Sequence, residues 1–374
     1  DKAGNELQEL ARLFLKLGVV AFGGPAAHIA MMREEVVTRR KWMEDQEFLD
    51  LVGATNLIPG PNSTELAIHL GRMRAGWRGL FVAGACFIVP AALIVLVFAM
   101  LYASYGSTPE VSRLLYGIIP VIVAVIAQAL WGLLKTAVKG PLTAAVGAVA
   151  LVLYLLGIGE IPLLAAGAVV VLLAKAGIRS WGGTMSVAPL GLPLGLLQAP
   201  VGGLGLASVF LSFLKIGSVL FGSGYVLLAF LRTEFIATGQ LTEQQLLDAV
   251  AVGQFTPGPV FTTATFIGYL LEGVPGAILA TVGIFLPAFV FVALTGPIIP
   301  RLRRSPVMSN LLDGLNVTSL ALMAGVTWQL GRTAIVDLFS ALLAVAALFL
   351  LVRFKVNAAW LVIGGGVLGI LFAY

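Results

Sequence analysis

Long apolar segments separated by short polar loops make up most of this 374-residue chain. A helix needs about 20 apolar residues to cross a bilayer, and many of the segments approach that length. Because the apolar runs are continuous, they predict helices and not a barrel, and hence an all-α polytopic membrane protein. The predicted longer segments are residues 79–104, 112–137, 141–157, 160–176, 276–298, 309–334, 335–352 and 356–373.

The composition narrows the class of protein further. Hydrophobic residues form 59% of the chain, charged residues only 11%, and the mean hydropathy is +1.01. Soluble domains carry about 25% charged residues, so a soluble fold is excluded. A single cysteine, Cys86, excludes an internal disulfide and a cysteine-rich metal site. With two histidines and no serine–histidine–aspartate arrangement, the sequence predicts no metal, no cofactor and no enzyme activity.

An internal repeat organises the chain. Proline, glycine, lysine and tryptophan recur in the same order in both halves, which chance similarity between apolar runs would not produce. We therefore predict homologous halves at residues 1–176 and 206–374, joined by a Gly/Pro-rich linker at 177–205. The matched pairs include FLKLGVVAFGG (14–24) with FLKIGSVLFGS (213–223), NLIPGP (56–61) with QFTPGP (254–259), and WGLLKTAV (131–138) with WQLGRTAI (328–335).

Each half is predicted to hold about five transmembrane helices plus one re-entrant helical hairpin. The first helix falls at 8–31 or 207–231 and carries FGGP or FGSG. The hairpin, at 46–73 or 244–271, breaks at a PGP motif into two pieces of about 12 residues, too short to cross a bilayer. An odd number of crossings inserts the second half upside down, which gives inverted repeats.

The loop charges give the predicted orientation. Lysine and arginine gather in the loops of one side, among them residues 39–41, Lys139 and residues 301–304. The net charge of +5 is explained better by such loops than by nucleic-acid binding. The positive-inside rule places this side in the cytoplasm, and the count of crossings then places both termini on the other side.

The PGP motifs suggest an anion site. A helix broken at membrane depth exposes polar backbone groups, which is tolerated beside protein or a watery cavity. Transporters with inverted repeats place such breaks around the substrate, and the N-terminus of a helix attracts anions. Asn62, Ser63 and Thr64 follow the first motif, and Thr262 and Thr263 follow the second. The alternative is that PGP is only a tight turn between two surface helices.

Charged residues at equivalent positions are further candidates. Lys16 and Lys215 recur inside apolar helices, where a cation is costly and often functional, although each could instead reach the interface. Asp50 and Asp248 also recur, and they either bind protons for coupling or form local caps and pairs. In the first half alone, Glu65 and His69 are four residues apart, which suits either a helix-surface pair, the interpretation we favour, or a proton relay.

The motifs FGGP, NLIPGPNSTELA, GWRGLFVAGACFIVPA, FGSGY and QFTPGP together resemble the chromate ion transporter family, and specifically its two-domain bacterial members. The resemblance covers nearly the whole chain. It implies a multi-pass secondary transporter of the bacterial inner (plasma) membrane that exports chromate, confers chromate resistance and has sulfate as a competitor. A transporter or a passive channel for sulfate or another tetrahedral oxyanion is the alternative, and the sequence leaves homodimerisation open.

The predicted substrate site combines the residue arguments with the family motifs. The second half has Val260 and Phe261 where the first has Asn62 and Ser63, so we expect the first half to supply more of the hydrogen bonds. The predicted substrate-binding residues are Lys16, Phe22, Gly23, Gly24, Pro25, Asn56, Gly60, Pro61, Asn62, Ser63, Thr64, Lys215, Gly222, Ser223, Gly224, Gln254, Gly258, Pro259, Thr262 and Thr263.

Overall fold

The computed structural model describes residues 2–22, 24–55, 57–106, 108–176, 205–221, 226–295 and 305–372, and these residues contain helices and turns but no strand. The first half holds α1 (Lys2–Val20), α2 (Gly24–Arg33), α3 (Asp45–Thr55), α4 (Asn62–Tyr105), α5 (Pro109–Ala137), α6 (Pro141–Leu155) and α7 (Glu160–Ala176). The second holds α8 (Leu206–Val219), α9 (Leu227–Leu231), α10 (Glu243–Phe255), α11 (Thr263–Thr295), α12 (Pro306–Ala334), α13 (Leu338–Phe354) and α14 (Ala358–Phe372).

The predicted fold class is confirmed. Within the described residues, four helices are long and apolar enough to cross a membrane, and they are Asn62–Tyr105, Pro109–Lys135, Val260–Thr295 and Pro306–Ala334. Large apolar side chains cover the outside of the bundle, since Leu93, Val97 and Leu294 are each more than half exposed. A bilayer is the surrounding that such a surface needs. The chain is an all-α polytopic membrane protein.

The first predicted helix of the first half turns back at its glycine motif. α1 ends at Val20, and α2 begins at Gly24, whose φ of +78° favours glycine. Lys16 Nζ donates to Glu35 Oε1 across 2.9 Å, and such a contact requires the two segments to run antiparallel. The second half repeats the contact, with Lys215 on Glu234. The segment predicted as one crossing helix is therefore a helical hairpin in each half.

α4 and α11 each consist of two antiparallel arms. Helical backbone geometry is lost at Gly76 (φ +58°) and again at the equivalent Gly273 (φ +63°), where the chain reverses. Thr265 and Thr281 are equally far along the chain from Gly273, and their hydroxyl oxygens lie 2.7 Å apart, so the two arms of α11 run side by side. The inner arms, residues 62–74 and 263–271, match the second pieces of the predicted re-entrant hairpins, and the outer arms are residues 77–105 and 274–295.

The bundle has two distinct ends. Near the start of α5, the Tyr116 hydroxyl donates to Asp337, whereas Lys139, just past the end of α5, pairs with Asp313. Since Lys139 follows Tyr116 by 23 residues and a helix rises about 1.5 Å per residue, these contacts are roughly 35 Å apart. We call them the Asp337 end and the Lys139 end. Equivalent loops of the two halves lie at opposite ends, as inverted repeats require.

Basic side chains in the described loops gather at the Lys139 end, as the topology prediction requires. The Asp337 end carries acidic residues together with Arg113, Arg232 and Arg332. The basic set includes Arg33, Arg39, Arg40, Arg72, Arg74, Arg78, Arg353 and Lys355, and the acidic set includes Glu160, Glu243, Glu272 and Asp337. Residues 301–304, which belong to the same prediction, lie outside the described residues.

α1 begins at the Lys139 end, although we expected the N-terminus on the opposite side. Oxygen atoms of Glu9 lie 3.3 Å from Arg74 and 3.6 Å from Arg40, and both arginines belong to that end. The difference arises because the prediction counted α1 and α2 as one crossing, whereas they form a hairpin. Residues 177–204 of the predicted linker lie outside the described residues, so the linker stays a prediction.

The two halves are interleaved. α4 packs on α11 and α5 on α12, so each half contributes to a shared centre. α6 and α7 pack on α12 of the other half, and α13 and α14 pack on α5. Glycines allow this close packing, because a Cβ on Gly117 of α5 would collide with the backbone of Gly365 and Gly369 in α14. Each half therefore supplies helices that cover the core of the other.

Candidate functional site

A cavity of about 470 Å³ lies where the broken helices of both halves meet. Pro61, Asn62 and Ser63 line it at the start of α4, and Pro259 lines it from the second PGP motif. Pro25 of the FGGP motif lines the same cavity. The structure thus brings together five of the predicted site residues, from three different breaks in two halves.

The helix start at Asn62 follows from the local sequence. Pro61 has no N–H to leave unpaired, and its φ of −79° suits the residue that precedes a first turn. Its carbonyl accepts the amides of Thr64 at 2.8 Å and Glu65 at 3.0 Å, which closes that turn. The amide groups of a first turn point out of the helix end, and this end borders the cavity. An anion held there would meet the positive end of the helix dipole.

The PGP glycines join the two halves at the centre of the bundle. The amide of Gly60 donates to the carbonyl of Leu220 at 2.8 Å, and the amide of Gly258 donates to Ala21 at 2.9 Å. Each bond runs from one PGP motif to the broken first hairpin of the other half. Gly258 has a φ of +85°, and a Cβ there would lie 2.5 Å from the Ala91 Cβ. The glycines therefore hold the two breaks together.

Ser63 is held by a histidine that we had not placed in the site. His28 is 1% exposed, and its Nε2 lies 3.0 Å from the carbonyl oxygen of Ala21. That nitrogen must carry a hydrogen, so in a neutral ring Nδ1 accepts, and the Ser63 hydroxyl donates to it across 3.2 Å. An anion in the cavity would compete with His28 for the Ser63 hydrogen.

The second PGP motif offers fewer side-chain donors to the cavity than the first. The hydroxyls of Thr262 and Thr263 donate to the carbonyls of Pro259 and Val260, within their own turn. Phe261 occupies the position equivalent to Ser63 and lines the cavity. Around the PGP motifs the wall is therefore polar at the first motif and apolar at the second, while Ser309, Asn316 and Ser319 of α12 add polar side chains from the second half.

The structure places Lys16 and Lys215 away from this cavity, each within its own hairpin. Lys16 pairs with Glu35, and Lys215 pairs with Glu234. Burial alone would raise the pKa of Glu35, but hydrogen bonds from Lys16 and Arg40 outweigh it and hold that pKa below its ordinary value. Both lysines thus neutralise a buried glutamate and stabilise a hairpin, which the sequence pattern alone does not distinguish from substrate binding.

The coupling candidates fall into different surroundings. Glu65 and His69 form no pair, since both Glu65 carboxyl oxygens and His69 Nε2 are buried without a hydrogen-bond partner among the described residues. Asp248 is 2% exposed and accepts from Tyr102 at 2.7 Å and from Gln244 at 2.9 Å. Neither partner carries a positive charge. Asp50 lies in α3, outside the residues whose side chains are described.

A second cavity, of about 310 Å³, is the counterpart of the first at the Asp337 end. Its walls include Tyr116 and Val336, which are equivalent in the repeat to Asp313 and Lys139 of the first cavity. Asp248 also lines it. Equivalent surfaces of α5 and α12 thus form a cavity near each end, with different charges.

Three charged residues were missed by the sequence reasoning. Lys139 and Asp313 line the first cavity, and Lys175 bonds to the same aspartate. Each appears once in the chain without a charged counterpart in the other half, so a search for repeated residues passes over it.

The remaining predicted site residues lie outside the cavity or outside the described part of the chain. Phe22 is 37% exposed, Gly24 starts α2, Thr64 is buried behind the cavity wall, and Gln254 lies in the last turn of α10. Gly23, Asn56, Gly222, Ser223 and Gly224 lie outside the described residues.

The family follows from comparison with known proteins. A family model described as Chromate transporter matches residues 8–173 and again residues 207–370. The chain belongs to the chromate transporter family. Its two matches fall within the two predicted halves, so the repeat seen in the sequence is one family unit present twice. Membership makes the chain a transporter and not an enzyme, in agreement with the prediction.

Individual relatives cover nearly the whole chain. The Chromate transport protein of Cupriavidus metallidurans is 30% identical, over 98% of this chain and 93% of that protein. The Probable chromate transport protein of Synechococcus elongatus is 31% identical, over 91% of this chain and 89% of its own length. An uncharacterized transporter of Methanocaldococcus jannaschii is 28% identical, over 96% of this chain. The comparison with solved structures returned no match.

Proposed function

We propose that this chromate transporter family member exports chromate from the bacterial cytoplasm across the inner membrane and so confers chromate resistance. Chromate is a tetrahedral dianion with four acceptor oxygens. The cavity at the two PGP breaks is its proposed binding site, with donors from the first turn of α4 and from Ser63. The convergence of Pro25, Pro61 and Pro259 on one cavity carries the proposal.

The direction of transport is argued from charge. The first cavity reaches the basic Lys139 end, which the positive-inside rule assigns to the cytoplasm. Its walls include Lys139, whereas Val336 stands at the equivalent position of the counterpart cavity. A dianion is therefore attracted more strongly into the cavity that faces the cytoplasm. A membrane potential that is negative inside also favours the outward movement of negative charge.

Proton coupling is part of the proposal through two buried acids, Glu65 and Asp248. Glu65 has no hydrogen-bond partner among the described residues, and the described partners of Asp248 are neutral, so proton uptake at either acid would change the energy of each state strongly. Glu65 lies in the first turn of α4, as Ser63 does, although it does not line the cavity. Asp248 lines the counterpart cavity. The two acids would thus sense the two ends of the transport path.

Uptake of labelled chromate into everted membrane vesicles tests the proposed function. Everted vesicles should accumulate chromate, and excess sulfate should reduce the uptake because it has the same shape and charge. Gly60→Val should abolish uptake, since Gly60 has a φ of +140° and bonds across the halves. Gly364→Val is the matched control, because nothing lies within 4 Å of a Cβ at Gly364. Uptake of sulfate but not of chromate would assign the protein to the sulfate alternative.

The position of the anion is tested by a pair of variants at equivalent sites. Ser63→Ala should raise the chromate Kd about fivefold or more, the effect of roughly 1 kcal/mol from one lost hydrogen bond. Phe261→Ala, at the equivalent position of the second half, should change the Kd much less because its ring offers no donor. Calorimetry on purified protein ranks the two. If Ser63→Ala left the chromate Kd unchanged and Phe261→Ala raised it, the anion would bind elsewhere.

A further inference from the structure

A charged cluster of three residues borders the first cavity where α5, α7 and α12 meet. Lys139 Nζ lies 2.6 Å from Asp313 Oδ1, and Lys175 Nζ lies 2.7 Å from Asp313 Oδ2. Each oxygen of one carboxylate thus has its own lysine. Two cations and one anion leave the cluster with one excess positive charge. Both lysines come from the first half, and the aspartate comes from the second.

The members of the cluster differ in burial. The Asp313 side chain is 6% exposed, whereas that of Lys139 is 56% exposed and lines the cavity beside Asp313. The Lys175 side chain is 33% exposed, and it is not among the described residues that line the cavity. Lys139 is therefore the member that can move toward the cavity, while Asp313 is fixed and Lys175 stands behind it.

We propose that Lys139 is the cationic ligand of the transported oxyanion, and that Asp313 holds Lys139 until the anion displaces it. This inference rests on the proposed function. Removing one partner of a buried ion pair normally leaves an uncompensated charge, which is strongly destabilising. Here Lys175 stays on Asp313 when Lys139 leaves, so the aspartate remains paired. Because of this second lysine, Lys139 can leave Asp313 for the anion at a small cost in free energy.

Comparison with the counterpart cavity supports a specific role for Lys139. At the equivalent positions, Val336 replaces Lys139 and Tyr116 replaces Asp313. If the cluster were needed only to close this corner of the bundle, a similar ion pair would be expected at both ends. The hydroxyl of Tyr116 instead bonds to Asp337, which holds the corresponding corner without a cation. Lys139 and its aspartate are thus present at one end of the transport path only.

Chromate binding to purified protein, measured by calorimetry, tests the inference. Lys139→Ala should weaken binding about tenfold or more, the range for a hydrogen bond to a charged group. Lys135→Ala is the matched control, because Lys135 precedes Lys139 by one turn, is exposed and does not line the cavity. Lys139→Arg should restore part of the affinity, since it keeps the charge but changes the donor geometry.

Three more variants distinguish a lysine that binds the anion from one that is only structural. Asp313→Asn should tighten chromate binding severalfold, because it removes the competitor for Lys139. Lys175→Ala should weaken binding although Lys175 does not line the cavity, because Asp313 then holds Lys139 more firmly. Adding Asp313→Asn to Lys175→Ala should reverse that loss. If the cluster were purely structural, all three variants would instead lose thermal stability, and none of them would bind chromate more tightly.

The outcomes distinguish this inference from the proposed function. If the wild type binds chromate and Lys139→Ala binds it as the Lys135→Ala control does, Lys139 is not a ligand and only the inference fails. Weaker binding in Asp313→Asn would overturn the role given to Asp313. If the wild type binds neither chromate nor sulfate, the proposed function fails, and the inference fails with it.

Discussion

Replacing Gly258 by alanine tests whether the crossed contacts of the PGP motifs hold the centre of the bundle together. Gly258 bonds to Ala21 of the other half and has a φ of +85°. An alanine there would put its Cβ 2.5 Å from the Cβ of Ala91 and 3.1 Å from the carbonyl oxygen of Gly18. The second neighbour is backbone, so α1 or the PGP loop itself must shift.

The expected loss of stability in Gly258→Ala has two parts, which a control variant can separate. A left-handed backbone costs a residue with a Cβ about 1–2 kcal/mol. Forcing a methyl group into a packed contact costs about 1–3 kcal/mol more. Gly239 has a similar φ, +73°, but nothing lies within 4 Å of a Cβ there. Gly239→Ala should therefore show the backbone cost alone, and Gly258→Ala should exceed it by about 1–3 kcal/mol.

The assay is thermal unfolding of both variants in detergent at one heating rate, together with chromate uptake. Gly258→Ala should unfold at a clearly lower temperature than Gly239→Ala and should lose transport. Gly239→Ala should keep transport, since it lies in a loop remote from the cavity. Equal unfolding temperatures would show that the PGP loop is not tightly packed, and the crossed contacts would then not hold the halves together.

Three further predictions concern charged residues. Lys215→Met should destabilise the protein by about 3–5 kcal/mol, because it removes the cation from the buried Glu234. Lys16→Met should cost about 1 kcal/mol or less, because Lys16 is 54% exposed and Arg40 stays paired with Glu35. Chemical unfolding compares the two variants. Glu65→Gln should bind chromate but transport it independently of an imposed pH gradient, as vesicle uptake would show. With the native cysteine removed, Arg78→Cys should react with an impermeant thiol reagent only from inside cells, and Glu272→Cys only from outside.

The sequence was sufficient for the repeat and its breaks because both depend on residues with special backbones. The PGP breaks lie where predicted, and the inner arm of α4 begins at Asn62, directly after Pro61. The fold class follows from apolar runs that no soluble protein carries. By contrast, the first hairpin was predicted as one helix, because FGGP lies in an apolar run of the length that a crossing helix has. The break at Gly24 and the contact between Lys16 and Glu35 reveal the reversal.

The site was only partly predictable for a different reason. Residues that recur in both halves are visible in one sequence, but a repeated residue often serves the common fold. Lys16 and Lys215 recur because each hairpin needs a partner for its buried glutamate. Lys139 and His28 have no such counterpart and become visible only when the packing brings them to the cavity and to Ser63.

The difference between repeated and unrepeated residues suggests where the direction of transport arises in a protein built from inverted repeats. Two identical halves would present the same site to both sides of the membrane, and such a site would favour neither. A net preference must then come from positions where equivalent residues differ in charge or in hydrogen-bonding capacity. Lys139 against Val336, Asp313 against Tyr116, and Ser63 against Phe261 are such pairs, and at least one member of each lines the first cavity. On the proposed function, the repeated residues would build the path, and the unrepeated ones would give the two ends different affinities for an anion.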